Sequence, residues 1–294
     1  MTIKLDFIAH YADLDGLLSH VLMEKRFPHQ INHLDIKYGE EEKALAQVQT
    51  SAHILADIGY SSSKTFTQAL NMLKTNKEGG SITALIDHHH WPQEILQDHF
   101  HVYELDKNMS TTPLIHQYFP TDKLSKRLAL VAYNDDRNQP DFLREPLNQA
   151  LQSTYPTNKL ITHLSKAKTL DELIPQEATP YIEEYQNRIR QAKKDLKNSY
   201  EKQHNFITGL ASKDLYMKEG LRTMAADHPE RDLLCLYENT NQALFTVQQE
   251  KDFNKIVTRL PAGGRDNAGG ITLPTKATKT NYHALADDII RAIQ

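Results

Sequence analysis

Short apolar runs alternate with helical patterns along the first part of the chain. Four runs are bounded by polar or turn residues, as buried strands are: residues 3–9, 31–37, 52–59 and 81–88. The stretches between them have helical spacing, for example in the apolar residues between positions 17 and 22. Strands that alternate with helices form parallel sheets. The pattern therefore predicts an α/β fold in which a parallel sheet carries helices on both faces.

A helix start follows a fifth apolar run, at residues 101–106. In the sequence STTP that comes after it, Thr112 is expected to cap a helix and Pro113 to occupy its first position. Such a helix start offers free N–H groups to an anion, although an ordinary cap without a ligand is the commoner arrangement.

The second half of the chain predicts a long helix and then a smaller α/β domain. One apolar stripe steps by four, three, four and four residues: Tyr185, Ile189, Ala192, Leu196 and Tyr200. Beyond it, residues 233–238 and 243–249 have the character of strands, and residues 282–293 that of a closing helix. We therefore expect a domain at residues 1–178, a linker helix at 179–204 and a second domain at 205–294.

The composition limits the kinds of protein that this chain can be and the partners that it can bind. The 294 residues, 39% of them hydrophobic and 24% charged, suffice for two domains with their own cores. The formal net charge of −4 provides no global basic field of the kind that holds long nucleic acids. No apolar run approaches the about 20 residues of a membrane span, and the single cysteine, Cys235, cannot form an internal disulfide. These features favour a cytoplasmic protein that binds neither membranes nor long DNA.

Acidic and imidazole side chains directly follow the first predicted strand, in the sequence HYADLDG at residues 10–16. In open α/β sheets, ligands bind at the carboxyl ends of strands. Asp13 and Asp15 can project in the same direction, and two carboxylates so close repel each other unless a cation lies between them. A hard divalent metal meets this condition. A solvated acidic turn that caps the next helix is an alternative of similar weight.

Two later strands end in the same kinds of side chain. The third apolar run ends in the sequence ADIG, which contains Asp57, and the fourth leads into the sequence DHHH at residues 87–90. Histidine suits transition metals, and a neighbouring carboxylate orients its ring through the other nitrogen. After a helical stretch at residues 124–134 come Asp135 and Asp136, and their spacing does not decide which of the two points inward.

Together, these motifs resemble those of the DHH phosphoesterase superfamily. Its members carry a His and two Asp on the first strand, one Asp on a later strand, an Asp-His-His triplet and a fourth-motif Asp. The sequence GGRDNAGG at residues 263–270 is similar to the glycine-rich loop of the DHHA1 domain, which usually follows the catalytic domain. Two departures from the family stand out: His10 lies one residue closer to the first Asp than in many members, and Arg265 replaces a common histidine.

The resemblance implies a role for each of these residues. Six would hold two divalent ions, with Asp57 between them: His10, Asp13, Asp15, Asp57, His88 and Asp135. His89 would face the substrate phosphate, and Asp87 would support the site. In the second domain, the substrate would contact Gly263, Gly264, Arg265, Asn267 and Gly269. Mn²⁺ suits the mixed imidazole and carboxylate set better than Mg²⁺, and Co²⁺ is a further alternative.

The function that the resemblance implies is hydrolysis of phosphate esters by a manganese-dependent phosphodiesterase or phosphatase. The substrate would be a short nucleotide: an oligoribonucleotide, a dinucleotide, a nucleoside 3′,5′-bisphosphate or a cyclic dinucleotide. Two other classes stay open, a nucleotide-binding regulatory module of the same fold that has lost turnover, and a single-metal hydrolase of unrelated fold. The sequence does not decide which nucleotide is the substrate or whether the protein forms a homodimer.

Overall fold

A computed structural model describes residues 4–11, 13–36, 41–48, 50–60, 64–137, 139–212, 215, 217–248, 262–265 and 268–293. The chain divides into two compact units, Met1–Glu183 and Glu184–Gln294. The predicted α/β fold, with a parallel sheet first and a smaller second sheet after a long helix, is confirmed. Among the described residues, every helix is too short or too polar to cross a membrane.

The first unit is built on a five-stranded parallel sheet in the order β2-β1-β3-β4-β5. Its strands are β1 (Leu5–Ala9), β2 (Ile31–Asp35), β3 (Ala52–Ala56), β4 (Ile82–Asp87) and β5 (Val102–Leu105). All five apolar runs predicted as strands therefore form strands. Because β3 lies between β1 and β4, the carboxyl ends of these three strands are adjacent.

Helices cover both faces of this sheet, as the pattern predicts. They are α1 (Leu14–Arg26), α2 (Glu41–Leu45), α3 (Lys64–Glu78), α4 (Gln93–His99), α5 (Thr111–Tyr118), α6 (Lys123–Asp136), α7 (Arg144–Gln152) and α8 (Thr157–Lys166). Side chains alternate across a strand. Phe7 and Ala9 pack in a core with α1, α5, α6, α7 and α8, whereas Ile8 packs in a core with α2, α3 and α4.

The second unit contains a mixed six-stranded sheet in the order β10-β11-β9-β8-β7-β6. Its strands are β6 (Glu201–Gln203), β7 (Phe206–Ala211), β8 (Asp232–Tyr237), β9 (Gln242–Thr246), β10 (Ala262–Arg265) and β11 (Ala268–Thr272). The helices are α9 (Thr179–Asn198), which begins in the first unit and ends in the second, α10 (Met217–Asp227) and α11 (Tyr282–Ile293). The predicted closing helix is thus confirmed. In α9 the predicted apolar stripe is buried up to Leu196, and Tyr200 lies beyond the helix end.

Three predicted element boundaries were wrong. The helix predicted over residues 179–204 ends at Asn198, and Glu201–Gln203 form β6. β9 ends at Thr246, before the end of the predicted strand at 243–249. Helix α5 begins at Thr111 with Ser110 as its N-cap, so Thr112 is not the cap. The reason is tertiary: the N–H groups of Thr111 and Thr112 donate to the carboxylate of Asp15, which takes the place of a capping side chain.

Candidate metal centre

His10 and Asp57 meet where β1 and β3 end side by side. These strands pair with Ile8 beside Leu55, so the residues that follow them emerge next to each other. Nε2 of His10 lies 3.1 Å from Oδ2 of Asp57, and both side chains are buried. Asp57 has a φ of 53°, in a left-handed region that Asp and Asn enter more readily than most residues.

Asp13 is the N-cap of α1 and extends its carboxylate toward His10. Oδ1 of Asp13 accepts the N–H of Gly16 over 3.3 Å and lies 3.9 Å from Nδ1 of His10. Asp13 therefore caps the helix, as one of the two alternatives predicts, and its carboxylate also lies near the candidate metal ligand His10. Gly16 is required here, because a Cβ at this position would lie 1.9 Å from the carbonyl oxygen of His10. One ligand atom each of His10, Asp13 and Asp57 lies within 4.8 Å of the others.

Asp87 ends β4 and is saturated with hydrogen-bond donors. Its Oδ1 accepts the N–H groups of His88 and His89 and the Nδ1–H of His89, over 2.7, 3.2 and 2.7 Å. Its Oδ2 accepts the N–H of Ile58 over 3.1 Å and the indole N–H of Trp91 over 2.9 Å. Burial alone would raise the pKa of Asp87, but these bonds and the charge of His89 lower it to about 2. A carboxylate has about four lone-pair sites, so Asp87 is better placed to orient His89 than to bind a metal.

His88 lies among three carboxylates. Its Nε2 is 3.4 Å from Oδ1 of Asp57 and 3.8 Å from Oδ2 of Asp15, and its Nδ1 is 3.8 Å from Oδ2 of Asp136. Burial alone would lower the pKa of His88, but a hydrogen bond with Asp57 and the charges of Asp15, Asp57 and Asp136 raise it to about 9. The carboxylates around this ring therefore stabilise a positive charge.

Asp15, in the first turn of α1, is held by the start of α5. Its Oδ2 accepts the N–H of Thr111 and its Oδ1 the N–H of Thr112, each over 2.8 Å. Burial first, and then the charge of Asp57, raise the pKa of Asp15 well above its usual value. The helix start that was expected to offer its N–H groups to an anion thus binds a carboxylate of the protein itself. This contact fixes Asp15 beside His88.

Asp57 belongs to both groups of candidate metal ligands found among the described residues. One group is His10, Asp13 and Asp57; the other is Asp57, Asp87, His88 and His89. Oδ2 of Asp57 is buried and accepts no hydrogen bond from a described residue, because the contact with Nε2 of His10 lacks hydrogen-bond geometry. A buried carboxylate oxygen without a donor is unfavourable, and a cation relieves this cost. Imidazoles mixed with carboxylates fit a divalent metal such as Mn²⁺.

Comparison with known proteins identifies the fold. No protein-family model and no curated protein sequence matches the chain. The pGpG-specific phosphodiesterase PggH from Vibrio cholerae is 13% identical, with a TM-score of 0.59 over 98% of this chain and 99% of that one. Exonuclease RecJ bound to manganese is 12% identical, with a TM-score of 0.58 over 99% and 90%. An exopolyphosphatase-related protein from Bacteroides fragilis is 10% identical, with a TM-score of 0.55 over 99% and 92%. The chain shares the fold of these three proteins.

The fourth DHH motif lies at the end of α6, where two aspartates are adjacent. Asp135 contacts α7: its Oδ1 accepts from Nδ2 of Asn148 over 3.2 Å and lies 3.9 Å from Nε of Arg144. Asp136 instead places its Oδ2 3.8 Å from Nδ1 of His88. These contacts favour Asp136 over Asp135, the residue that the resemblance assigns, as the fourth-motif ligand.

The described residues of the DHHA1-like glycine sequence lie in two strands, β10 and β11. β10 and β11 are antiparallel, and the opposite residues are Gly263 with Gly270, Gly264 with Gly269, and Arg265 with Ala268. Two successive pairs thus consist of glycines only, which lack Cβ atoms and allow close approach to the backbone. Asn267 lies outside the described residues.

Several residues that support the candidate metal ligands were not predicted from the sequence. Trp91 donates to Asp87, and the N–H of Tyr11 donates to Oδ1 of Asp35 at the end of β2, over 3.0 Å. The sequence STTP predicted a helix start whose N–H groups could bind an anion, and Thr111 and Thr112 supply those groups. Nothing in the sequence identified Asp15 as the anion. The contacts of Tyr11 with Asp35 and of Thr111 with Asp15 join residues that are 24 and 96 positions apart.

Proposed function

We propose that this protein is a metal-dependent phosphoesterase that hydrolyses phosphate esters of short nucleotides. The observation that carries the proposal is the pair of ligand groups that share Asp57, at the carboxyl ends of β1, β3 and β4. The DHH fold supports it, because solved proteins with this fold are named as a pGpG-specific phosphodiesterase and an exonuclease bound to manganese.

The residues present fit two divalent ions, and we propose Mn²⁺ in preference to Mg²⁺ or Co²⁺. The candidate ligands are His10 and Asp13 on one side, Asp15, His88 and Asp136 on the other, and Asp57 between them. When bound, such a pair activates a water molecule and neutralises charge on the phosphate. Asp136 stands here in the place that the sequence resemblance gives to Asp135.

His89 is proposed as the residue that contacts the substrate phosphate. Its Nδ1–H is bonded to Asp87, so its Nε2 is left for the substrate, and the side chain is 36% exposed. Burial alone would lower the pKa of His89, but the hydrogen bond and charge of Asp87 raise it. The ring therefore holds a proton at Nε2 more readily and can donate it in a hydrogen bond to a phosphate oxygen.

The second unit is proposed to bind the remainder of the substrate. By the resemblance, the backbone of β10, the edge strand of the second sheet, would bind a second phosphate, and Arg265 would supply a guanidinium to it. In this arrangement residues 1–178 form the catalytic domain, residues 179–204 the linker helix and residues 205–294 the substrate-binding domain.

A substrate panel tests the proposal. It contains a 5′-phosphorylated dinucleotide, a short oligoribonucleotide, a nucleoside 3′,5′-bisphosphate, a cyclic dinucleotide and pyrophosphate, each with Mn²⁺ or with EDTA. The key variant is Asp57→Asn, because Asn tolerates the positive φ at this position and removes only the charge. Replacement of a residue that only hydrogen-bonds a metal ligand lowers metal affinity or activity by about 10- to 100-fold. We therefore expect Asp57→Asn, which changes a candidate ligand itself, to lower activity by at least about 100-fold. Asp98→Asn, an exposed carboxylate on α4, is the matched control.

The outcomes separate the alternatives. Mn²⁺-dependent hydrolysis of one nucleotide, abolished by EDTA and by Asp57→Asn, supports the proposal. Absence of hydrolysis together with absence of stoichiometric bound Mn²⁺ indicates the regulatory module instead. Full activity of Asp57→Asn contradicts a shared ligand. Rapid hydrolysis of long DNA contradicts the preference for short substrates, and a cytoplasmic location stays a prediction.

A further inference from the structure

A groove on the outer side of α8 lies outside both groups of metal ligands. It has a volume of about 560 Å³, and all its lining residues belong to the first unit. Its lining combines aromatic and charged side chains: Tyr155, Lys159, Lys166, Glu177 and Tyr181. α8 turns its apolar residues to the core, so its polar side faces this groove. Small-molecule sites have volumes of about 300 to 1,000 Å³, and the groove falls within this range.

The lining of the groove carries a surplus of positive charge. Lys159 and Lys166 are seven residues apart, which places them on one side of α8 about two turns from each other. Neither lysine forms an ion pair with any residue that the structure describes. Glu177 is the one carboxylate among the lining residues, so the two lysines leave a surplus of one positive charge. This local surplus contrasts with the formal net charge of −4 for the whole chain.

An aromatic surface forms another part of the lining. Tyr155 is buried, and the ring of Tyr181 packs edge-to-face on it with centroids 5.6 Å apart and an interplanar angle of 65°. Tyr181 nevertheless remains 39% exposed. A tyrosine ring that is held in place and partly exposed is a stacking surface for a nucleobase, since every base has a π-face.

We propose that this groove binds a nucleotide, with the base on Tyr181 and the phosphate at Lys159 and Lys166. A planar aromatic group joined to an anion matches the two features that the groove combines. Stacking on an aromatic ring beside basic side chains is also how proteins hold nucleotides without reading their sequence. The site needs no metal, so it does not depend on the proposed hydrolysis.

The test is titration calorimetry of the full chain with adenosine 5′-monophosphate in EDTA. Alanine replacement of a stacking aromatic residue costs roughly 5- to 150-fold in affinity, so Tyr181→Ala should weaken binding by at least about five-fold. Tyr181→Phe keeps the ring and should bind as the wild type does. Lys159→Gln should weaken binding by about two- to five-fold, with a smaller dependence on salt. Lys168→Gln, an exposed lysine outside the lining, is the matched control.

Two outcomes would overturn the proposal. One is absence of binding by the wild type at millimolar nucleotide; the other is equal affinity in the wild type, Tyr181→Ala and Lys159→Gln, which would place the nucleotide elsewhere. Circular dichroism checks that Tyr181→Ala is folded, and Lys159 is exposed, so its replacement leaves the core unchanged. Because EDTA is present throughout, failure of the metal-dependent hydrolysis would leave this result unaffected.

Discussion

Thr112 binds Asp15 twice: its N–H donates to Oδ1 over 2.8 Å, and its hydroxyl donates to the main-chain oxygen over 2.7 Å. Both residues are buried, and the hydroxyl of Thr112 also lies 3.1 Å from that of Ser19. The start of α5 is thereby joined to the first turn of α1, at the point where a candidate metal ligand leaves the helix. Asp15 depends on this contact for its orientation.

Thr112→Val keeps the shape of the side chain and removes the hydroxyl. We expect the free energy of unfolding to fall by about 1 to 3 kcal/mol, because a buried carbonyl oxygen loses a donor. We also expect the Mn²⁺ concentration at half-maximal activity to rise several-fold. Urea unfolding and metal titration check both. Thr75→Val on α3, where an exposed hydroxyl donates to Asn71, should change stability by less than about 0.5 kcal/mol. An unaltered metal requirement in Thr112→Val would contradict the positioning role.

Asp57→Asn should abolish the stabilisation of the fold by Mn²⁺. Metal bound to the folded chain raises its stability by about 2.7 kcal/mol when the free ion is at 100 times its dissociation constant. We expect this gain in the wild type and little of it in the variant, since Asp57 contributes to both ligand groups. Thermal unfolding in EDTA and in Mn²⁺ measures the difference. An equal gain in both proteins would show that Asp57 is not a ligand.

Trp91→Phe should lower turnover through Asp87. The variant keeps an aromatic ring among Tyr60, Phe66 and Phe100 but removes the indole N–H that donates to Asp87. A hydrogen bond to a charged group contributes about 1.5 to 3 kcal/mol, so stability should fall by a similar amount. We expect kcat to fall several-fold with KM unchanged, because Asp87 orients His89.

Phe66→Leu is the control for packing around Trp91. This variant loses ring contacts in the same cluster and leaves the hydrogen bonds of Asp87 intact. It should lose stability without the fall in kcat. If both variants lowered kcat to the same degree, Trp91 would act through packing alone.

Asp141→Asn should make the protein less stable in a pH-dependent way. Asp141 is 2% exposed and accepts two hydrogen bonds of 2.6 Å from Arg127. Burial alone would raise the pKa of Asp141, but Arg127, the N–H of Leu143 and Asn134 hold it below its usual value. A carboxyl with a lowered pKa stabilises the fold above its unfolded pKa of about 3.9, and this contribution is lost as the pH falls through the folded pKa.

At pH 7 the free energy of unfolding of Asp141→Asn should be about 3 kcal/mol lower than that of the wild type, because the variant leaves a largely buried Arg127 without its charged partner. This difference in stability should begin to shrink as the pH falls below about 4, where Asp141 of the unfolded chain takes up a proton, and it should be lost as the pH falls through the lower pKa of Asp141 in the folded wild type. Urea unfolding from pH 7 to pH 3 measures this. A difference that stays constant with pH would assign the effect to packing instead of charge.

The sequence by itself determined the parallel sheet and the place of the site. Apolar runs of strand length, separated by helical spacing, leave few other ways to bury their side chains. His10, Asp57 and Asp87 follow or end such runs, and the carboxyl ends of parallel strands lie at one edge of the sheet. The grouping of these residues therefore follows from local pattern and general topology.

Only the tertiary structure decided the finer contacts. Asp135 and Asp136 differ by about 100° around α6, so the packing of that helix selects which one approaches His88. The anion at the start of α5 is Asp15, 97 residues away from Thr112, and no local pattern encodes that pairing. β11, the second of the two glycine-containing strands, pairs with β9 as well as with β10, and the local sequence does not specify β9 as a partner. In each case the deciding interaction joins residues whose distance is set by packing and not by position along the chain.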